Sequence, residues 1–551
     1  MVSQETDSLA PQVDQRSRAA ILVGVGIFFS RISGFIRDIV FAFFFGNTGL
    51  ADVWRVALKT PNVIQNLLGE GTLSASVIPI YAELLEEERT EDAGRFAGAT
   101  LGILVVVAGG TALLGVLLAP SLLPLVLFRW DVEKVALTVT MIQILFPMTA
   151  VLVASAWALA ILNSHRRFFV SYVAPVAWNG VIILALVVLG FGLGWSERTL
   201  LLAVAWSALL GGVLQFTVQL PYVIPLLRHF RISVSRRVTG IREAIHNFIP
   251  VVTARGAVNI GSLLEMFAAA LLAEGAVAAL GYAQTLYLLP ISLFGMAIAA
   301  AELPELSRQR ALPLKEMGEQ ISVALERVYF LLLPSAVAFL IFGDLLIGGI
   351  YQRGSFLAAD TPVVHAILAV YALGLLATAA SRVLSSTFYA LRDTRTPAWI
   401  ACLRVTVSLA VGVPLMFPLD RFGSTGLHYG AVGLAFGSST AAWLEYILLR
   451  RSLSRTIGPH GPRPGIRWRI AAAASVAALV AILARWTLES GVPPKGALTF
   501  EWLGEGFSWL VLPAHAIGTT LLFGVVYLVV AHHFGVGIDL IRLLRRDTGN
   551  S

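Results

Sequence analysis

Six polar residues recur at steps of three and four through an otherwise apolar stretch: Asp52, Arg55, Lys59, Asn62, Asn66 and Glu70. Residues so spaced share one face of a helix. The apolar run before them carries Arg31, Arg37 and Asp38. Further along, Arg255, Asn259 and Ser262 again step by four and three, and Arg382 and Arg404 stand in other apolar runs. A charge at bilayer depth costs roughly 2.5–3.5 kcal/mol on insertion scales, so such residues do not persist facing lipid. They suit the lining of a wet cavity inside a helix bundle. The set is mainly cationic, and guanidinium binds phosphate oxygens bidentately while staying charged when partly desolvated. The expected chemistry is therefore anion binding, with Asp38, Asp52 and Glu70 holding the cations in place or exchanging partners.

No enzyme constellation accompanies this set, so no catalytic residue is assigned. GxSxG, P-loop, HExxH and CxxC patterns do not occur, which argues against direct ATP hydrolysis. The nine His are scattered, and the adjacent His532 and His533 point to different sides of a helix. No metal site and no cofactor are expected, and the coupling ion stays open. The one cysteine, Cys402, excludes an intrachain disulfide.

The elements that must position these residues are membrane helices. The chain is 57% hydrophobic and 13% charged, with mean hydropathy +0.80, against about 25% charged for a soluble protein. A span needs about 20 mostly apolar residues. The sequence offers fourteen: 19–46, 50–86, 93–128, 135–164, 168–193, 199–228, 242–273, 276–308, 319–351, 363–391, 396–418, 428–454, 467–488 and 511–543. No sustained alternation suggests a β-barrel. The fold class is thus an all-α polytopic membrane protein. Residues 1–18 are polar, and the apolar helix after them exceeds a signal h-region, so no cleavable signal peptide is expected. With the N-terminus in the cytoplasm, the cytoplasmic segments and adjoining helix ends carry 26 of the 40 Lys and Arg. Six lie on the other side: Arg129, Lys134, Arg198, Arg353, Arg421 and Lys495. That asymmetry places both termini inside. It accounts for most of the net charge of +7 without nucleic acid.

The stretch from Ser30 resembles a known family. The motifs are Ser30-Arg31-x-x-Gly34-Phe35-x-Arg37-Asp38, Phe45-Gly46, Ala51-Asp52, Lys59-x-Pro61-Asn62, Glu70-Gly71-x-x-Ser74 and Pro79. They are similar to those of the MurJ (MviN) lipid II flippases of the multidrug/oligosaccharidyl-lipid/polysaccharide (MOP) exporter superfamily. The resemblance implies two six-helix lobes plus two C-terminal helices: an N-lobe over 1–240, a C-lobe over 241–458, and a final pair over 459–551 that forms a groove for a lipid tail. Faint repeats agree, such as the basic turns at Arg166-Arg167 and Arg392–Arg395. The Pro- and Gly-rich link 455–466 suits the last boundary.

The implied function is movement of an undecaprenyl-diphosphate-linked peptidoglycan precursor, lipid II, across the bacterial cytoplasmic (inner) membrane by alternating access. The expected headgroup cavity is formed by Arg31, Arg37, Asp38, Lys59, Asn62, Arg255 and Asn259, with Asp52, Arg55 and Glu70 as gate or support. The lipid precursor, the bilayer and cell-wall synthesis proteins are the expected partners. Structural readings stand beside these roles: a static Arg37–Asp38 ion pair, snorkelling of Arg31 and Arg404, and a broken helix around Lys59–Gly71. The sequence also departs from the family pattern. Gln65 and Asn66 stand where many members have an Arg pair, and Thr285 and Leu288 occupy charged places of a Tyr-Ala-x-Arg-x-x-Glu-x-Pro pattern. Another polyprenyl-diphosphate-linked oligosaccharide, or a non-transporting scaffold of cell-wall assembly, are the alternatives.

Overall fold

The computed structural model describes residues 3–308, 314–391, 393–421, 427–489 and 511–536. Among them every regular element is helical. The helices are α1 (Ser3–Phe45), α2 (Gly49–Leu68), α3 (Glu70–Ser76), α4 (Ile78–Glu86), α5 (Thr90–Val126), α6 (Val132–Ser164), α7 (Phe168–Ala185), α8 (Glu197–Val223), α9 (Ile241–Ala269), α10 (Ala276–Arg308), α11 (Leu314–Tyr351), α12 (Asp360–Ala390), α13 (Arg395–Arg421), α14 (Gly430–Ile457), α15 (Ile466–Glu489) and α16 (Val511–His533). A π-helical turn, Leu186–Gly192, extends α7.

Among the described residues, eleven helices are long and apolar enough to cross a bilayer. Helices α1, α2 and α9 are not among these eleven. They carry most of the charges singled out above: Arg31, Arg37 and Asp38 on α1, Asp52, Arg55 and Lys59 on α2, and Arg255 on α9, while Arg382 and Arg404 lie on α12 and α13. Large apolar side chains such as Leu113, Leu117, Leu184, Leu483 and Leu521 point outward from the other helices, as lipid-facing residues do.

One expected span is corrected. The stretch 50–86 is three helices, broken at Gly69 and Val77. At the first break Gly69 takes an extended ψ of −153°. The Thr72 hydroxyl donates to the Leu67 carbonyl at 2.7 Å, satisfying an acceptor left open at the end of α2. At the second, Pro79 sits in the first turn of α4, where its missing N–H is tolerated and its ring prevents continuation from α3. Between α1 and α2 the chain turns at Gly46–Gly49. Gly46 has φ +55°, and Thr48 Oγ1 donates to the Phe45 carbonyl at 2.7 Å.

The chain packs as two units, Met1–Ala278 and Ala279–Ser551. In the first, α6 lies at the centre, against α2, α5 and α8, while α1 packs on α7 and α9 on α2 and α3. Its core includes Leu73, Tyr81, Phe96, Trp157 and Ile161, and Trp157 Nε1 donates to the Ala97 carbonyl at 3.1 Å. In the second unit α11, α12, α13 and α14 pack together, and α15 and α16 lie against α11. There the small side chains of Ala473, Ala474, Ala477 and Ala481 let α15 approach Phe330 and Phe342 closely.

Candidate functional site: a buried cation cluster on α1 and α2

Arg37 lies eight residues before the end of α1 and Arg55 six residues into α2. At 1.5 Å per residue both are about 9–12 Å from the turn joining the helices, and Lys59 is about 15 Å from it. Measured from a joining turn set at the edge of a hydrocarbon core about 30 Å thick, such distances reach from its outer third to the midplane.

Asp38 is 4% exposed and lies between two guanidinium groups. Arg37 Nη2 is 2.9 Å from its Oδ1, and Arg55 Nη1 is 3.3 Å from its Oδ2. Arg37 also donates through Nη1 to Asn179 Oδ1 at 3.1 Å, and its guanidinium carbon stands 4.9 Å from the Trp178 ring centre. Asn179 Nδ2 donates to Ser33 Oγ at 2.9 Å. Ser33 Oγ in turn donates to the Ser30 carbonyl at 2.9 Å. Arg37 is therefore oriented by neighbours on α1 and α7, and keeps a partly exposed side chain, 13%. Lys59 stands one turn beyond Arg55, with Glu265 of α9 and Arg55 close enough to bear on it electrostatically. Among the named charges of the cluster, Arg37, Arg55 and Lys59 face Asp38 and Glu265. A cation-rich group at bilayer depth is suited to an anionic ligand.

The other expected site residues divide. Asn66 Nδ2 donates to Asn259 Oδ1 at 3.3 Å, so the polar faces of α2 and α9 do meet. Glu70 is exposed beside the helix break and hydrogen-bonds with Tyr172 of α7. Asn62 is half-buried on α2, and Arg31 is exposed on α1. The side chain of Arg255 lies outside the described residues.

Asp52 is 1% exposed and lies in a separate knot. It accepts from Lys134 Nζ at 2.9 Å, Gly275 N at 2.8 Å and Ala278 N at 2.9 Å. Its carboxylate thereby caps the start of α10 from α2. Gly49 N donates to Glu274 Oε1 at 2.7 Å on the same turn. Trp130 Nε1 donates to the Ala270 carbonyl at 2.8 Å.

Arg404 is paired with Glu445 of α14 at 2.7 Å. Thr285 Oγ1 donates to the Gly281 carbonyl at 3.0 Å, and Leu288 is 40% exposed.

Sequence reasoning missed Asn179, Trp178, Lys134 and Glu265. Asn179 carried a signal, a polar residue in the middle of an apolar helix. Lys134 was assigned by position alone to the end of a span.

An all-helical chain with many bilayer-length apolar helices and buried charges between some of them defines a polytopic membrane protein. Solved structures agree. "Lipid II flippase MurJ, inward closed conformation" aligns with TM-score 0.75 at 22% identity, over 95% of this chain and all of that one. A multidrug resistance MATE family transporter of the MOP superfamily in an inward-facing conformation aligns with TM-score 0.59 at 16% identity, over 80% of this chain and 95% of that one. The sequence model described as lipid II flippase MurJ matches residues 41–503. A probable lipid II flippase MurJ of Rhizobium tropici is 32% identical, over 96% of this chain and 95% of the relative. The lipid II flippase MurJ of Burkholderia cenocepacia is 27% identical, over 93% and 96%. The chain belongs to the lipid II flippase MurJ family.

Proposed function

We propose that this chain is a flippase for lipid II, working by alternating access in the bacterial inner membrane with both termini in the cytoplasm. The observation that carries the reading is the Arg37–Asp38–Arg55 cluster, held at bilayer depth in a chain of this family. A diphosphate brings several acceptor oxygens, and a guanidinium fork matches them in pairs. On binding, Arg37 exchanges part of its contact with Asp38 for phosphate oxygens. Asn179 and Trp178 hold its plane meanwhile, so little side-chain ordering remains to be made. Asp38 keeps the two guanidiniums from repelling each other when no substrate is bound. The prenyl tail stays in lipid, along α15 and α16, while the headgroup crosses. No nucleotide-hydrolysing motif is recognisable, so the drive comes from an ion gradient, the membrane potential or consumption of the product. Cell-wall synthesis proteins that consume it are the natural partners.

Complementation tests this. In a bacterial host depleted of its lipid II flippase, the chain restores exposure of lipid II on the outer leaflet, and Arg37→Ala does not. Good membrane expression without rescue would overturn the reading. It would favour another polyprenyl-diphosphate-linked substrate, for which Gln65, Asn66, Thr285 and Leu288 at family charge positions are the specific reason.

A further inference from the structure

The link between α8 and α9 is a strap fastened along α5. Gly94, Gly98 and Gly102 of α5 form one face, and a Cβ at each would overlap the carbonyl oxygen of Arg228, Arg231 and Ser233 in turn. The strap backbone therefore climbs α5 in direct contact with it over eight helical residues, about 12 Å. Phe230 and Val238 turn inward and pack against the core, Phe230 beside Trp157 at 5.9 Å between ring centres. The side chains between them turn out. Ile232 is 68% and Val234 61% exposed, and Arg228, Arg231, Arg236 and Arg237 are exposed around them. Residues 228–239 contain no Asp or Glu.

The level of the strap follows from the length of α5. The helix has 37 residues, about 55 Å, against a hydrocarbon core of about 30 Å. Arg129 follows its C-terminal end closely. Counting about 20 residues back from Val126 puts the near edge of the core around Val106. Val105, Val106 and Val107 are exposed, as lipid-facing residues are. Gly102 is then about 6 Å short of that edge, inside the headgroup layer. Ser233 and Val234 ride at that level, with the four arginines at or below it.

On the strap itself, two exposed apolar side chains at headgroup depth are ringed by arginines with no acid between them. The acids nearest on α5, Glu91 and Asp92, are paired with Arg95 and Arg89. This matches the chemistry of a negatively charged bilayer surface. We propose that the 228–237 strap is a docking surface for anionic phospholipid headgroups. Ile232 and Val234 enter the boundary of the acyl region, and Arg231, Arg236 and Arg237 bind the phosphates. The glycine face of α5 gives the strap a fixed height, so the strap reads lipid charge at one end of the first packing unit. This surface is separate from the Arg37 cluster and does not depend on the transported substrate.

The test uses the full chain in nanodiscs, with Cys402→Ser and Val234→Cys carrying an environment-sensitive fluorophore. Phosphatidylglycerol is titrated into phosphatidylcholine. The emission shifts to the blue as the anionic fraction rises. Each arginine near such a surface is worth about 1 kcal/mol, roughly five-fold in partitioning. Arg231→Gln, Arg236→Gln and Arg237→Gln together therefore raise the anionic fraction needed at least several-fold. The corresponding triple Lys variant keeps the charge and restores the wild-type response, which separates lost charge from misfolding. Emission that is insensitive to phosphatidylglycerol, or equally sensitive in the triple Gln variant, overturns the proposal. So does a shift that appears only when an acidic soluble protein is added.

Discussion

Lys134 Nζ sits 2.9 Å from Asp52 Oδ2 and 4.1 Å from the centre of the Trp130 ring. The same carboxylate takes the backbone N–H groups of Gly275 and Ala278. One side chain of α2 thus joins the start of α6 to the turn between α9 and α10. Removing one partner of a buried ion pair costs about 3–5 kcal/mol, because the other charge is left unpaired. Asp52→Ala is expected to lower the melting temperature in detergent strongly. Asp52→Asn keeps an acceptor and lowers it less. Lys134→Met added to Asp52→Asn recovers part of the loss, since the stranded ammonium is gone. Additive losses in the double variant would show that the two residues do not act as a pair.

Arg37 makes a different prediction, because its neighbours orient it without enclosing it. Arg37→Ala is expected to remove most transport while lowering the melting temperature less than Asp52→Ala does, because Asp38 keeps Arg55 as its partner. Arg37→Lys keeps the charge but loses the planar fork that contacts Asp38 and Asn179 together, and is expected to transport at an intermediate rate. Transport equal to wild type in Arg37→Ala, at equal membrane level, would remove Arg37 from the substrate path. Thermal stability and lipid II exposure measured on the same preparations separate the two effects.

How much of this was legible in the sequence differs between parts. The spans could be read because about 20 apolar residues are needed to cross a bilayer, and α5, α6, α10, α12 and α16 begin within a few residues of the expected positions. The stripe from Asp52 to Glu70 was legible as a spacing. Its division between an anion-suited cluster at Arg55 and a structural knot at Asp52 was not, because partners such as Lys134, Gly275 and Asn179 are far away in sequence. The break at Gly69 falls within the broken-helix reading of Lys59–Gly71, whereas the one at Val77 is concealed by a continuous apolar pattern. Pro79, in the first turn of α4, is the sequence feature nearest to that second break. The docking of the 228–237 strap is invisible to hydrophobic periodicity. It rests on three glycines four residues apart, a pattern that also occurs wherever helices pack closely.

Gly98 tests that docking directly. Its missing side chain is the space occupied by the Arg231 carbonyl, so Gly98→Val has no room on either side of the contact. Overpacking of this kind costs about 1–3 kcal/mol. The strap can lift more easily than α5 can bend. Limited proteolysis is therefore expected to cut Gly98→Val within 228–240 much faster than wild type, after arginines in particular. Gly109→Val, at a position with open space around it, is the matched control and is expected to leave the strap uncut.

The loop between α14 and α15 holds the last prediction. Glu326 of α11 is 3% exposed. It accepts from Arg463 N at 2.7 Å and Arg463 Nη2 at 2.9 Å, while Ser322 Oγ, one turn earlier, accepts from Gly461 N at 3.0 Å. Arg450 Nη2 donates to the His460 carbonyl at 3.1 Å. His460 is buried among these groups, and burial pushes its imidazole below the usual histidine range, with Arg450 adding to the effect. A histidine held low is neutral in the folded loop at neutral pH. Once the pH falls below about 6.5 the unfolded loop binds a proton that the folded one resists, so stability falls as the pH falls. The contribution is complete above about 6.5 and is lost progressively down to the lowered folded value. Hydrogen exchange over 458–465, corrected for the intrinsic pH dependence, is expected to show weaker protection at pH 5.5 than at pH 7.5. His460→Asn removes that dependence, because an amide does not titrate. Glu326→Gln is expected to weaken protection at both pH values, since it removes the charge from the bonds to Arg463 without touching the titrating ring. Equal pH sensitivity in the wild type and His460→Asn would assign the effect to another group.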